Sequence, residues 1–216
     1  MTGVADPLRR ALRLLVITDP RPRCGRPLEE VVAEVAAAGA TAIQLRDKES
    51  PPRELLALAR RLRAVTARHR VLLIVNDRLD IALAAGADGV HLGPDDVPVA
   101  AARRVVPDGF VLGHSTDDPG VARRAEADGA DYLGCGTVFP TISKADAGAV
   151  IGVGGLAAVA CSVGIPVLAI GGVTAERVPL LGGSGAGGVA VISAVMAARR
   201  PANAARRLRE AVEGWR

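Results

Sequence analysis

Short β-branched apolar runs alternate with alanine- and leucine-rich stretches along the whole 216-residue chain. The runs are LRLLVIT (12–18), TAIQLRD (41–47), VLLIVND (71–77), DGVHLG (88–93), FVLGHS (110–115), DYLGCG (131–136), PVLAIGG (166–172) and GVAVIS (188–193). Polar residues or glycines follow each one, so each reads as a buried strand. The stretches between and after them, 28–38, 53–68, 78–85, 97–104, 118–128, 154–162, 174–181 and 194–213, read as helices. Strand–helix alternation implies a parallel sheet with right-handed crossovers. A related phrase precedes four of the strands: AAAGATAIQL, AAGADGVHL, EADGADYLG and GGSGAGGVAV. In each, a helix is expected to end at a glycine (39, 86, 129 and 185), as a left-handed cap requires. Eight such units in this length close more economically as a (β/α)8 TIM barrel than as an open doubly wound sheet. No linker interrupts the pattern, which predicts one domain over 1–216, with residues 1–11 as a flexible N-terminal extension.

Composition narrows the function classes. Half of the residues are hydrophobic, yet only Phe110, Tyr132, Phe139 and Trp215 are aromatic. The core is therefore aliphatic, and base stacking is an unpromising mode of recognition. The formal charge is +4, with much of the excess in arginines of 53–70 and 199–209. Those arginines alternate with Leu and Ala at helical spacing, as solvated helix faces do, and no nucleic-acid partner is expected. Cys24, Cys135 and Cys161 lack metal or redox spacing and suit reduced thiols in a cytoplasmic protein. Asp19 and Pro20 interrupt the first apolar stretch too soon for a signal peptide, and no run approaches a membrane span.

In a barrel of this kind the reactive face lies at the strand C-termini, and the polar residues collect there. Gln44, Arg46, Asp47 and Lys48 end the second strand, Asn76 and Asp77 the third, and Asp95 and Asp96 follow the fourth. His114 and Ser115 end the fifth, VFPTISK (138–144) follows the sixth, Gly171-Gly172 end the seventh and Ser193 the eighth. Each has a plainer reading alone. Asn76-Asp77 could cap a helix from Arg78, Asp95-Asp96 could form a turn and cap, and the glycine pairs could be tight turns. His114 reads as a packed or pore-facing histidine rather than a base, and His91 as structural. Their convergence on one rim favours chemistry. Arg46, Lys48 and Lys144 are cations, Thr141, Ser143 and Ser193 are hydroxyls, and the glycines offer bare N–H groups, all suited to phosphate. Two carboxylates without His or Cys partners suit Mg²⁺, which keeps waters and shares phosphate oxygens. Together these features indicate a Mg²⁺-dependent barrel enzyme acting on phosphorylated small molecules.

Taken in order, IQLRDK (43–48), VNDRLDIALAAGADGVHLGPDD (75–96), GTVFPTISK (136–144), AIGGV (169–173) and VAVISA (189–194) resemble the thiamine-phosphate synthase family. The resemblance implies condensation of hydroxymethylpyrimidine diphosphate with a thiazole phosphate, releasing pyrophosphate, with Mg²⁺ as cofactor and a homodimer as the assembly. It places Gln44, Arg46, Lys48, Asn76 and Ser115 on the pyrimidine diphosphate, and Asp77 and Asp96 on the metal. Thr141, Ile142, Ser143, Gly172, Ile192 and Ser193 fall on the thiazole phosphate. Arg46, Lys48, Lys144 and Ser115 carry the catalytic roles, the three cations stabilising charge on the departing pyrophosphate. Three features depart from the family pattern. Gly136-Thr137 stands where Gly-Pro is common, Ser143 where threonine is common, and GHSTDD replaces Gly-Val-Ser followed by a histidine. Asp117 thus occupies the position at which the related thiazole tautomerases use that histidine for proton transfer. That tautomerase is one alternative, and a non-catalytic barrel that binds thiamine precursors is another.

Overall fold

The computed structural model describes residues 7–20, 22, 24–141 and 149–215. Eight parallel strands close into a barrel in chain order, with β1 pairing β8. They are β1 (Leu14–Ile17), β2 (Ala42–Leu45), β3 (Leu72–Asn76), β4 (Gly89–Leu92), β5 (Val111–Ser115), β6 (Tyr132–Cys135), β7 (Val167–Ile170) and β8 (Gly188–Val191). All eight lie within the predicted runs. The helices are α1 (Pro7–Ala11), α2 (Leu28–Ala37), α3 (Pro52–His69), α4 (Leu79–Ala85), α5 (Val99–Arg103), α6 (Pro119–Ala127), α7 (Gly152–Ala160), α8 (Ser193–Met196) and α9 (Pro201–Gly214).

Two predicted helices form differently. The stretch 174–181 makes only a 3-10 turn at Val178–Leu181. Pro179 lacks an N–H and would clash inside an α-helix begun at residue 174. The stretch 194–213 is divided into α8 and α9, and Pro201 opens α9, where its missing N–H is harmless. Residues 7–11, assigned from sequence to the N-terminal extension, form α1. No helix among the described residues is long and apolar enough to cross a membrane.

Both faces of each strand are covered, which is why the strands read as nearly continuous apolar runs. Leu14, Val16, Ile43, Leu45, Leu73, Val75, Val90 and Leu92 face the helices. Leu15, Ile17, Ala42, Ile74, Val111, Tyr132, Leu168 and Ala190 fill the interior. Tyr132 fits because its register partner on β5 is Gly113, where a Cβ would lie 2.2 Å from the tyrosine ring.

The repeated helix–glycine–strand phrase has a physical cause. Thr41 Oγ1 accepts a hydrogen bond from Leu14 N at 2.9 Å, Asp88 Oδ2 from Leu73 N at 2.8 Å and Asp131 Oδ2 from Leu112 N at 2.7 Å. At three strand N-termini, then, one side chain two residues after the capping glycine satisfies a backbone N–H of the preceding strand. Arg63 and Arg103 pair with Asp88 and Asp131 at 3.1 and 2.6 Å. Polar residues at this end of the barrel are structural. Replacing Asp131 with Ala strands the Leu112 N–H and the Arg103 guanidinium together. We expect a loss of about 2–3 kcal/mol in urea unfolding, with kcat unchanged in the fraction that remains folded.

Candidate active site

The strand C-termini surround a cavity of about 1100 Å³. Gln44, Arg46, Lys48, Asn76, Asp77, Asp96, Ser115, Thr141, Gly172, Ile192 and Ser193 all line it. Ile142, Ser143 and Lys144 lie outside the described residues. His91, His114, Asp117, Tyr132 and Arg177 also face this space.

On the β2–β4 side the backbone is tied before the charges are placed. Arg46 N donates to Thr18 Oγ1 at 3.0 Å, which anchors the end of β2 to β1. Asp47 turns from the cavity and accepts from Glu49 N and Ser50 N at 3.0 Å, closing the turn that carries Lys48. Asp77 adopts φ 63°, a left-handed conformation that aspartate tolerates better than most residues, while its N–H donates to the His91 carbonyl at 2.8 Å. Neither Asn76 nor Asp77 caps α4, whose first turn has no side-chain cap. Asp96 forms the expected turn, with Oδ2 accepting from Gly93 N at 2.6 Å.

That geometry crowds two carboxylates. Burial, then the charge of Asp96, then a shared side-chain hydrogen bond push the Asp77 carboxyl above its ordinary range, opposed by Lys48 and Arg46. Lys48 Nζ stands 3.8 Å from Asp77 Oδ2. A hard divalent cation would relieve the repulsion between the pair. No cluster of three or more His, Cys, Asp or Glu able to hold a metal occurs among the described residues. A cation here would therefore complete its shell with waters and substrate oxygens, the usual habit of Mg²⁺.

The opposite side supplies backbone. Gly172 has φ 62°, and a Cβ there would come within 2.7 Å of the Phe139 and Pro140 carbonyls. Only glycine fits, leaving its N–H accessible where β7 meets the segment after β6. That segment stays pinned beyond the strand, with Val138 N donating to Ile170 O and Phe139 N to Gly171 O. Arg177, not anticipated from sequence, donates to the Gly172 carbonyl at 2.8 Å and lies 5.4 Å from the Phe139 ring centroid. Its one sequence signal was a cation five residues beyond the glycine pair.

Three further groups occupy the cavity floor and the β5–β6 edge. His91, expected to be structural, faces the cavity with Nδ1 2.9 Å from the Tyr132 hydroxyl and Nε2 2.8 Å from Ser115 Oγ. His114 Nδ1 is buried without a hydrogen-bond partner, and burial holds the imidazole below its usual pKa against the Leu92 carbonyl and Asp96. Burial thus disfavours the imidazolium form of His114. Asp117 accepts from Gly136 N at 2.7 Å. Burial first, and then Asp117, raise the Cys135 thiol to about 12. Asp117 thus ties the β5 loop to the end of β6.

The crowded carboxylate has a pH signature. With Asp77 raised, ionising it opposes folding, so the stability it lends at low pH is lost as pH climbs through the raised value. In EDTA, the stability of Asp77→Asn relative to wild type should grow from about pH 4 towards pH 7. Parallel melting curves for the two chains across that range would contradict this.

The thiamine monophosphate synthase family model matches residues 14–195. The thiamine-phosphate synthase of Moorella thermoacetica is 51% identical over 188 residues, spanning 87% of this chain and 90% of that protein. That of Methanoculleus marisnigri is 48% identical over 199 residues, spanning 92% and 94%. Among solved structures, the thiamine phosphate pyrophosphorylase of Pyrococcus furiosus has a TM-score of 0.86 at 44% identity, covering 95% of this chain and 98% of that one. With the family model spanning most of the barrel and relatives this similar along nearly their whole length, the chain belongs to the thiamine monophosphate synthase family.

Proposed function

We propose that the chain condenses 4-amino-2-methyl-5-hydroxymethylpyrimidine diphosphate with hydroxyethylthiazole phosphate, or its carboxylated form, to give thiamine phosphate and pyrophosphate. The observation that carries this reading is the meeting of all five family motifs at one cavity. Asp77 and Asp96 are the residues that fit Mg²⁺, which when bound supplies positive charge to the diphosphate oxygens.

Arg46 and Lys48 hold the diphosphate from the β2 side, and the family resemblance assigns Lys144 to the same group. Their charges stabilise the oxygens as the methylene–oxygen bond breaks and its electron pair leaves on pyrophosphate. The electron-rich aminopyrimidine carries the resulting methide-like cation, and the thiazole nitrogen lone pair closes the new C–N bond. Thr141, Ile142, Ser143, Gly172, Ile192 and Ser193 hold the acceptor's phosphate, so that the nitrogen is in place when the cation forms. Water would capture that cation and must be excluded as the bond breaks; Leu15, Ile17 and Leu168 contribute apolar lining to the cavity. Little acid–base apparatus is needed for this substitution.

Asp117 weighs against the tautomerase alternative, because its carboxylate is engaged by Gly136 N rather than poised for proton transfer. Three free cysteines agree with a cytoplasmic setting. The deciding experiment mixes both substrates with the chain and Mg²⁺. Equimolar pyrophosphate and thiamine phosphate should appear, and EDTA should stop their formation. Binding of both substrates without turnover would make the chain a binding barrel instead. Lys144→Ala should lower kcat about 100-fold with the melting temperature unchanged; unaltered kcat would remove Lys144 from the mechanism.

A further inference from the structure

Hydrogen bonding on the cavity floor has a direction. Tyr132 is fully buried, and burial raises its hydroxyl far above the ordinary range, so it stays protonated. Gln44, 2% exposed, packs into the same floor. A buried phenol proton needs an acceptor, and the hydrogen bond that the hydroxyl makes among the described residues is to His91 Nδ1 at 2.9 Å. With Nδ1 accepting, the neutral imidazole carries its proton on Nε2, which faces Ser115 Oγ at 2.8 Å. Ser115 therefore receives a hydrogen bond from below and directs its own proton into the cavity. Space for the chain is built in. Gly113 clears the Tyr132 ring, and a Cβ on Gly134 would stand 3.2 Å from His91 Cε1.

We infer that Tyr132 and His91 are positioning residues: a one-way hydrogen-bond chain from Tyr132 through His91 fixes Ser115 as a hydrogen-bond donor to the pyrimidine substrate. This rests on the proposed condensation, in which Ser115 meets that substrate. A serine free to rotate could offer either its proton or a lone pair. One whose lone pair is occupied by His91 Nε2–H offers only the proton, which matches an acceptor such as a pyrimidine ring nitrogen or a diphosphate oxygen. The chain also gives Tyr132, the sole tyrosine of the sequence, a role beyond filling the pore.

Long-range ¹H–¹⁵N spectra of the full chain labelled with ¹⁵N-histidine distinguish the two neutral tautomers, and His91 is assigned by the signal lost in His91→Gln. The expected state is protonated Nε2 with bare Nδ1, and Tyr132→Phe should shift the ring towards Nδ1–H. In turnover, Tyr132→Phe should lower kcat about tenfold, the scale of one lost hydrogen bond, with the melting temperature largely kept. On a Ser115→Ala background the same change should alter kcat by less than about twofold, because its effect passes through Ser115. His91→Gln, which retains an N–H near Ser115, should keep more activity than His91→Leu. A wild-type Nδ1–H tautomer would reverse the chain and overturn the inference. Equal loss from Tyr132→Phe in both backgrounds would overturn it too, by showing that Tyr132 acts only through packing. The tautomer is read without turnover, so absence of condensation would remove the proposed activity and leave the chain's direction to be decided by the spectra.

Discussion

Asp77 and Asp96 are held together in a half-buried corner where burial and the charge of Asp96 both oppose ionisation of Asp77. Folding alone gains nothing from that arrangement; it is tolerable because the rim surrounds it with compensation. Lys48 stands within ion-pair range of Asp77, Arg46 adds its field, and the proposed reaction would bring a cation and a diphosphate to this corner. Of the 27 basic residues only Lys48 and Lys144 are lysines. Both fall in the motifs assigned to the diphosphate, while the arginines of α3 and α9 lie largely on solvated faces. A compact ammonium on a flexible stem suits a group that must follow a leaving anion, whereas arginine's fixed fork suits a stationary oxygen pair.

One residue type performs opposite work at the two ends of the barrel. Asp88 and Asp131, at the strand N-termini, accept from backbone N–H groups and pair with arginine, so their charge is satisfied inside the protein. Asp77, at the strand C-termini, is left in conflict. Strain of this kind gathers at functional sites, where a bound partner resolves it. The floor follows the same division. Leu15, Ile17 and Leu168 give it apolar surface, while Tyr132, His91 and Ser115 are joined by hydrogen bonds.

The barrel was legible because each unit carries a β-branched run and a helical stretch, and several add a glycine at the helix end. The rim was legible for a related reason, since polar residues directly after a strand must emerge at one end. Where proline chemistry competed with helical spacing, at Pro179 and Pro201, the spacing was misleading. His91 escaped because its role depends on register across strands. Gly113 and Gly134 must clear space from β5 and β6 before His91 on β4 can reach both Tyr132 and Ser115, and a one-dimensional pattern does not show which glycines face which side chains. Arg177 escaped similarly, being brought to the cavity by a 3-10 turn where a helix was expected. Asp117 was visible as a departure from the family pattern, but its tie to Gly136 became evident only once the β5 and β6 ends stood side by side.

Central to this account is that the carboxylate pair and the cations form one site for a metal-bound diphosphate. Calorimetric titration of the whole chain with inorganic pyrophosphate, with and without Mg²⁺, addresses that claim directly. Mg²⁺ should tighten pyrophosphate binding at least about tenfold, a coupling of roughly 1.4 kcal/mol, and Asp77→Asn should abolish the difference. Equal affinity with and without Mg²⁺, or full coupling in Asp77→Asn, would contradict it.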